Sequence, residues 1–95
     1  MKTIKIQKEA GAFCENKDVA KKLRENVLLP TLKQNGSITF DFDGVTGATQ
    51  SFIHALISEA LRRYPEKAFE KILYKNTNPE IRQIISIVYT YMQQN

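Results

Sequence analysis

The sequence predicts an α/β domain: a small, mostly parallel four-stranded sheet packed by three main helices, in the order β(β)αβαβα. Three observations lead there. Short stretches of period-two hydrophobicity alternate with longer stretches of helical periodicity. Strands that alternate with helices pair in parallel through crossovers. A length of 95 residues, 42% of them apolar, holds one hydrophobic core and supplies enough burial to offset the ordering of the chain.

Each element has its own signal. Ile4 and Ile6 alternate with Thr3, Lys5 and Gln7, so Ile4 to Gln7 reads as a strand with one buried face. Gly11 turns the chain, and Ala12 to Cys14 reads as a second short strand that pairs with the first. Asn16 or Asp18 is placed to cap a helix carrying Val19, Ala20, Leu23, Val27 and Leu28. Pro30, which cannot donate a helical hydrogen bond, should end or kink that helix, and Asn35-Gly36 stops it.

Ser37 to Phe42 is the clearest strand, with Ile38, Phe40 and Phe42 on one face and Thr39 and Asp41 on the other. Asp43 to Gln50 reads as a loop anchored to the core by Val45 and, just beyond it, Phe52. A second helix presents Ile53, Leu56, Ile57, Ala60 and Leu61 at helical spacing and is closed by Tyr64-Pro65. Ile72 to Tyr74 is β-prone. Asn78 caps the last helix, with Pro79 at its first position and Ile81, Ile84, Ile85, Val88, Tyr91 and Met92 as its apolar stripe. The strand at Ile38–Phe42 should pair with both Ile4–Gln7 and Ile72–Tyr74, and Phe40, Leu56, Ile85 and Val88 should be buried.

The charge pattern narrows the function. The formal net charge is +4, from 14 basic and 10 acidic residues, but Glu9, Glu15, Asp18, Glu25, Glu66 and Glu70 break up most basic groups. Nucleic-acid binding wants a denser basic stripe interleaved with aromatics, so a basic adaptor touching nucleic acid is a secondary reading and direct contact is not expected. Cys14 is the sole cysteine, which rules out an internal disulfide and fits a reducing cytoplasm. No apolar run approaches the roughly 20 residues of a membrane span, and the start, MKTIKIQKEAG, lacks the apolar core of a signal peptide. So small a domain leaves much of its surface wet, and a homodimer is compatible with that.

Candidate chemistry is sparse. Phe40-Asp41-Phe42-Asp43-Gly44-Val45-Thr46 resembles the nucleophile motif of haloacid-dehalogenase-type phosphatases, where the first Asp attacks phosphorus and the second acts as acid and base. The chain has three Asp in all, Asp18, Asp41 and Asp43, and no later acidic pair to complete a magnesium site. A small Asp-dependent phosphatase is therefore only an alternative. His54 and Cys14 stand forty residues apart in sequence with no third group to orient them, and read as a helix-surface histidine and a small buried cysteine. No cluster has metal-ligand spacing, and Gly44-x-x-Gly47 lacks the Lys-Ser/Thr of a phosphate loop, so neither metal nor cofactor is expected. The chain reads as a binding module, not an enzyme.

Thr49-Gln50-Ser51 lies where loop meets helix, and hydroxyls there act as caps or as sites for a phosphate facing free N–H groups. The run ITFDFDGVTGATQSFIHALISEALRR from Ile38 to Arg63, followed by KNTNPEIRQIISIV, resembles the STAS-like domains of unknown function. These are relatives of the sulfate-transporter and anti-sigma-factor-antagonist domain. Phe42-Asp43-Gly44-Val45, Ala48-Thr49-Gln50-Ser51-Phe52 and Asn78-Pro79 with Ile81 carry the likeness, over about the last two thirds of the chain.

In the antagonists a Ser-Gly-Val-like turn precedes Asp-Ser-Ser-Gly at a helix start, and a serine there is phosphorylated. Ser51 falls on that serine, while Thr49 replaces the usual Asp and Phe52 the usual Gly. The resemblance implies a cytoplasmic bacterial regulatory domain. Asp43, Gly44, Thr46, Thr49, Gln50 and Ser51 would meet a protein partner, a histidine-kinase-type ATPase or a DNA-binding regulator, with Ser51 as the phosphosite.

Overall fold

The central strand, Ile38–Asp41 (β3), is buried at every residue, as a parallel strand flanked on both edges should be. The computed structural model describes residues 2–93. It pairs β3 in parallel with Lys2–Lys5 (β1) on one side and Ile72–Lys75 (β5) on the other. Ile4, Phe40 and Tyr74 share one row of this register, and Lys5, Asp41 and Lys75 another.

The central strand has the two predicted partners, but the predicted four-stranded sheet is not one sheet. Three strands in the order β1-β3-β5 form the main sheet, and Phe13–Cys14 (β2) pairs in parallel with Gly47–Ala48 (β4) as a separate two-stranded one. The strand read at Ala12–Cys14 thus pairs with part of the presumed loop at Asp43–Gln50 and not with β1. The reason lies in β1, which ends at Lys5, because Ile6–Ala10 turn into a short helix (α1) that carries the chain away from the sheet edge. Gln7, expected in a strand, is helical.

The first long helix also departs from expectation. Asn16 caps it, accepting from the N–H groups of Asp18 and Val19, and Lys17–Leu23 (α2) follow. Pro30 does not end it. The chain passes through a π-helical turn at Arg24–Leu28 into Leu29–Lys33 (α3), with the Leu29 N–H bonded to the Arg24 carbonyl five residues back. Proline lacks an N–H and crowds the carbonyl four residues before it, and a wider turn just upstream accommodates both. The stop is at Asn35, which takes the left-handed conformation at φ 63°. The N–H groups of Asn35 and Gly36 close on the carbonyls of Leu32 and Thr31, the paired bonds of a Schellman ending.

Gln50–Arg63 (α4) packs between α2 and Pro79–Gln93 (α6). Tyr64-Pro65 closes α4 as expected, but Pro65 then opens a further helix, Pro65–Lys71 (α5), because proline fits the first position of a helix as well as it ends one. Two short helices therefore accompany the three main ones. Asn78 caps α6 through a bond from the Ile81 N–H.

Phe40, Leu56, Ile85 and Val88 are buried as expected. Tyr91 is not part of the buried stripe, being 59% exposed. Tyr89 takes the inner place, half-buried with its hydroxyl 2.9 Å from that of Tyr74 and its ring edge-on to Phe69. Replacing Phe40 by Ala, at a site with no exposure, should cost about 3–5 kcal/mol of folding stability in a urea titration.

Candidate functional site

The C-terminal end of the sheet is organised by one carboxylate. Asp41 ends β3 with 7% of its surface exposed, and one of its oxygens accepts from the Asp43 N–H and from the Asn76 side-chain amide, both at 2.9 Å. Asn76 stands at φ 58°, a left-handed conformation that asparagine tolerates better than most residues. The Asn76 bond, the Asp43 N–H and the charges of Lys5 and Lys75 hold the Asp41 carboxyl below the usual carboxylate range. The same carboxylate that would be the phosphatase nucleophile is thus taken up in holding two loops.

Beyond it, Phe42 to Val45 form a tight turn closed by the Val45 N–H on the Phe42 carbonyl, with Gly44 at φ 80° in its third position. That is the place where glycine is required. A β-carbon there would also stand 2.7 Å from Oε1 of Gln7. The next four residues are gripped by the segment around β2. The Thr46 N–H and hydroxyl both donate to the Ala12 carbonyl, at 2.7 and 3.1 Å, and the Thr49 N–H donates to the Cys14 carbonyl. Gly47 lets the Phe13 ring lie on the backbone, since a β-carbon would meet it at 3.1 Å. The Asn78 amide donates to the Thr46 carbonyl from the other side.

Val45 and Phe52 are buried and anchor this segment, while Asp43, Gly44, Thr46, Gln50 and Ser51 face solvent. Thr49 is half-buried and is the cap of α4, its hydroxyl accepting from the Phe52 N–H at 3.0 Å. That assigns the two hydroxyls different work. Ser51 occupies the second helical position, exposed and with no hydrogen-bond partner for its hydroxyl among the described residues.

Gln50 and Ser51 line a shallow depression of about 390 Å³ together with Lys17, His54 and Ala55. The sequence reading missed Lys17. The signal available was Asn16, which starts α2, whereas the strand pairing that sets α2 beside α4 is invisible in a two-residue stretch. Asp43, Gly44 and Thr46 lie outside this depression, so the six predicted contact residues divide between the turn and the helix start. Cys14 is fully buried, its thiol donating to the Gly11 carbonyl and pushed up by burial, the reverse of what activates a nucleophile. No group of three or more His, Cys, Asp or Glu able to hold a metal occurs among the described residues. Nor is any described helix long and apolar enough to cross a membrane.

A family model described as a STAS-like domain of unknown function matches residues 19–82, more than half of the chain. No curated protein and no solved structure gives a significant match.

Two changes test this geometry. Gly44→Ala should destabilise by about 1–2 kcal/mol, because the left-handed strain persists even after the Gln7 side chain moves aside. Asp41, depressed in the folded state, contributes stability that is present above the unfolded carboxylate value and is lost as pH falls through the lowered folded one. Asp41→Asn removes that contribution, so its stability should vary less than wild type over the acid limb of a pH series of melting curves.

Proposed function

The chain belongs to the STAS-like domains of unknown function, and from that footing we propose that it is a non-catalytic regulatory module. It would bind a protein partner through the Asp43–Ser51 segment and be switched by phosphorylation of Ser51. The observation that carries this reading is the division of labour at the start of α4. Thr49 caps the helix, so the Ser51 hydroxyl is exposed and unengaged, and its modification would break no native bond. A phosphate there would face the positive end of the helix dipole and lie in the same depression as Lys17 and His54. It would also place up to about two negative charges in the middle of the contact surface, a change that a bound partner would feel directly.

The antagonist domains that this family resembles suggest the partner class, an ATPase of the histidine-kinase type, with a DNA-binding regulator as the other possibility. A cytoplasmic bacterial setting belongs to the same reading. The Asp-dependent phosphatase gains no support from the carboxylate bonds at Asp41, and the nucleic-acid adaptor gains none from the exposed groups of the Asp43–Ser51 segment.

The experiment begins with affinity capture from the native host and identification of the bound protein. Affinity is then measured for wild type, Ser51→Ala and Ser51→Asp. Ser51→Ala should change stability by less than about 0.5 kcal/mol, and Thr49→Ala should cost about 0.5–2 kcal/mol because it removes the cap. Ser51→Asp should leave the fold intact, gaining about 0.3–1 kcal/mol from the dipole, yet weaken partner binding while Ser51→Ala does not. Equal affinities for all three would leave the junction a helix start and nothing more.

A further inference from the structure

From the end of α3, we infer that Asn35 is a site of spontaneous covalent modification. It loses its side-chain amide through a cyclic imide with Gly36, at a rate set by opening of the helix ending. Asn35 is the one asparagine in the sequence that precedes a glycine. Its surroundings single it out again. The side chains of Asn16, Asn76 and Asn78 are engaged, with the first N–H groups of α2, with Asp41, and with Thr46 and Ile81. Asn35 is exposed, and its amide has no hydrogen-bond partner among the described residues. Asn26 is exposed too, but it precedes Val27 inside the π-helical turn, where a branched side chain crowds the nitrogen that would attack.

The fold itself calls for this dipeptide. Position 35 stands at φ 63° and needs a residue that tolerates the left-handed conformation, as asparagine does. Position 36 has no room for a side chain: a β-carbon there would stand 3.0 Å from Cγ2 of Thr31 and 3.2 Å from its carbonyl oxygen. The same bareness leaves the Gly36 nitrogen sterically open to Cγ of Asn35. Base removes the proton from that nitrogen, the nitrogen adds to Cγ, and the side-chain nitrogen leaves as ammonia. Water then opens the imide at either carbonyl, giving aspartate or a β-linked isoaspartate at position 35. The net exchange is water for ammonia, with no change of oxidation state.

The native ending holds this reaction back. The Gly36 N–H donates to the Thr31 carbonyl at 2.8 Å, and a nitrogen so bonded keeps its proton and cannot turn toward Cγ. Reaction therefore waits for local opening, and helix ends are among the first places to open. Either product sets a carboxylate at the negative end of the α3 dipole, and the β-linked one also lengthens the backbone just ahead of β3. Refolding reverses neither change, so the reaction limits the lifetime of the fold.

Incubation of the whole chain at mildly alkaline pH, followed by peptide mapping with mass spectrometry, tests this. Asn35 should convert before any other asparagine, and at least about 10-fold more slowly in the folded chain than in guanidinium chloride. Raising the pH should speed both reactions, and the converted fraction should melt below the fresh chain. Asn35→Gly keeps the left-handed freedom and has no amide to lose, so it should fold like wild type and hold its melting temperature through the same incubation. The inference falls if another asparagine converts first, if folded and unfolded chains convert at the same rate, or if Asn35→Gly loses stability on incubation as fast as wild type.

Discussion

Asp41 sits at the end of β3, which is paired on both sides, and a carboxylate so nearly enclosed must be supplied with donors. Its supply comes from outside β3. The Asp43 N–H draws the chain back immediately after the strand, which starts the turn that Gly44 completes. The Asn76 amide comes from the end of β5, and reaching Asp41 coincides with a left-handed backbone at Asn76 two residues before the cap of α6. Both connections at this end of the sheet are therefore fixed from one point. Lys5 and Lys75, in register with Asp41 on the two flanking strands, add favourable charge without closing a salt bridge.

From that point the two-residue sheet becomes intelligible. The turn delivers Thr46 to Thr49 to the Ala12 and Cys14 carbonyls, which accept their N–H groups. A two-stranded pair of this length would not stand by itself. It persists because Val45, Ala48 and Phe52 are buried beneath it and Cys14 fills the core from the other strand. The start of α4 is held on its entry side by these bonds and on its own first turn by the Thr49 hydroxyl, so Gln50 and Ser51 are presented on a rigid support.

The long-period features were legible in the sequence because each is written many times over. The parallel pairing of β1, β3 and β5 follows from three separated apolar stretches, and the caps follow from short polar side chains at Asn78 and at Asn16 or Asp18, of which Asn16 is the one used. What was not legible depends on single residues with two uses. Pro30 and Pro65 could each stop a helix or take a place in one, and the choice was made by the π turn upstream of the first and by burial of Ala68 after the second. The stop read at Asn35-Gly36 is a Schellman ending with Asn35, not the glycine, in the left-handed conformation. At the candidate site the exposed polar residues were found, but the distinction between capping Thr49 and free Ser51 needed backbone positions that a run of hydroxyls does not encode.

The depression beside Ser51 and the outward side of α6 meet at one contact. His54 lines the depression beside Ser51, and its ring stands edge-on to Tyr91 at 6.1 Å between centroids. Tyr91 in turn lines a groove on α6. A phosphate on Ser51 would stand beside the same imidazole, so the His54–Tyr91 contact links the proposed switch position to the outward side of α6. The sheet need not move for this, because Asp41 and the β2–β4 pair hold the backbone on which both helices stand. The energy carried by that contact should be small, of the order of one aromatic pair or about 0.5–1.5 kcal/mol.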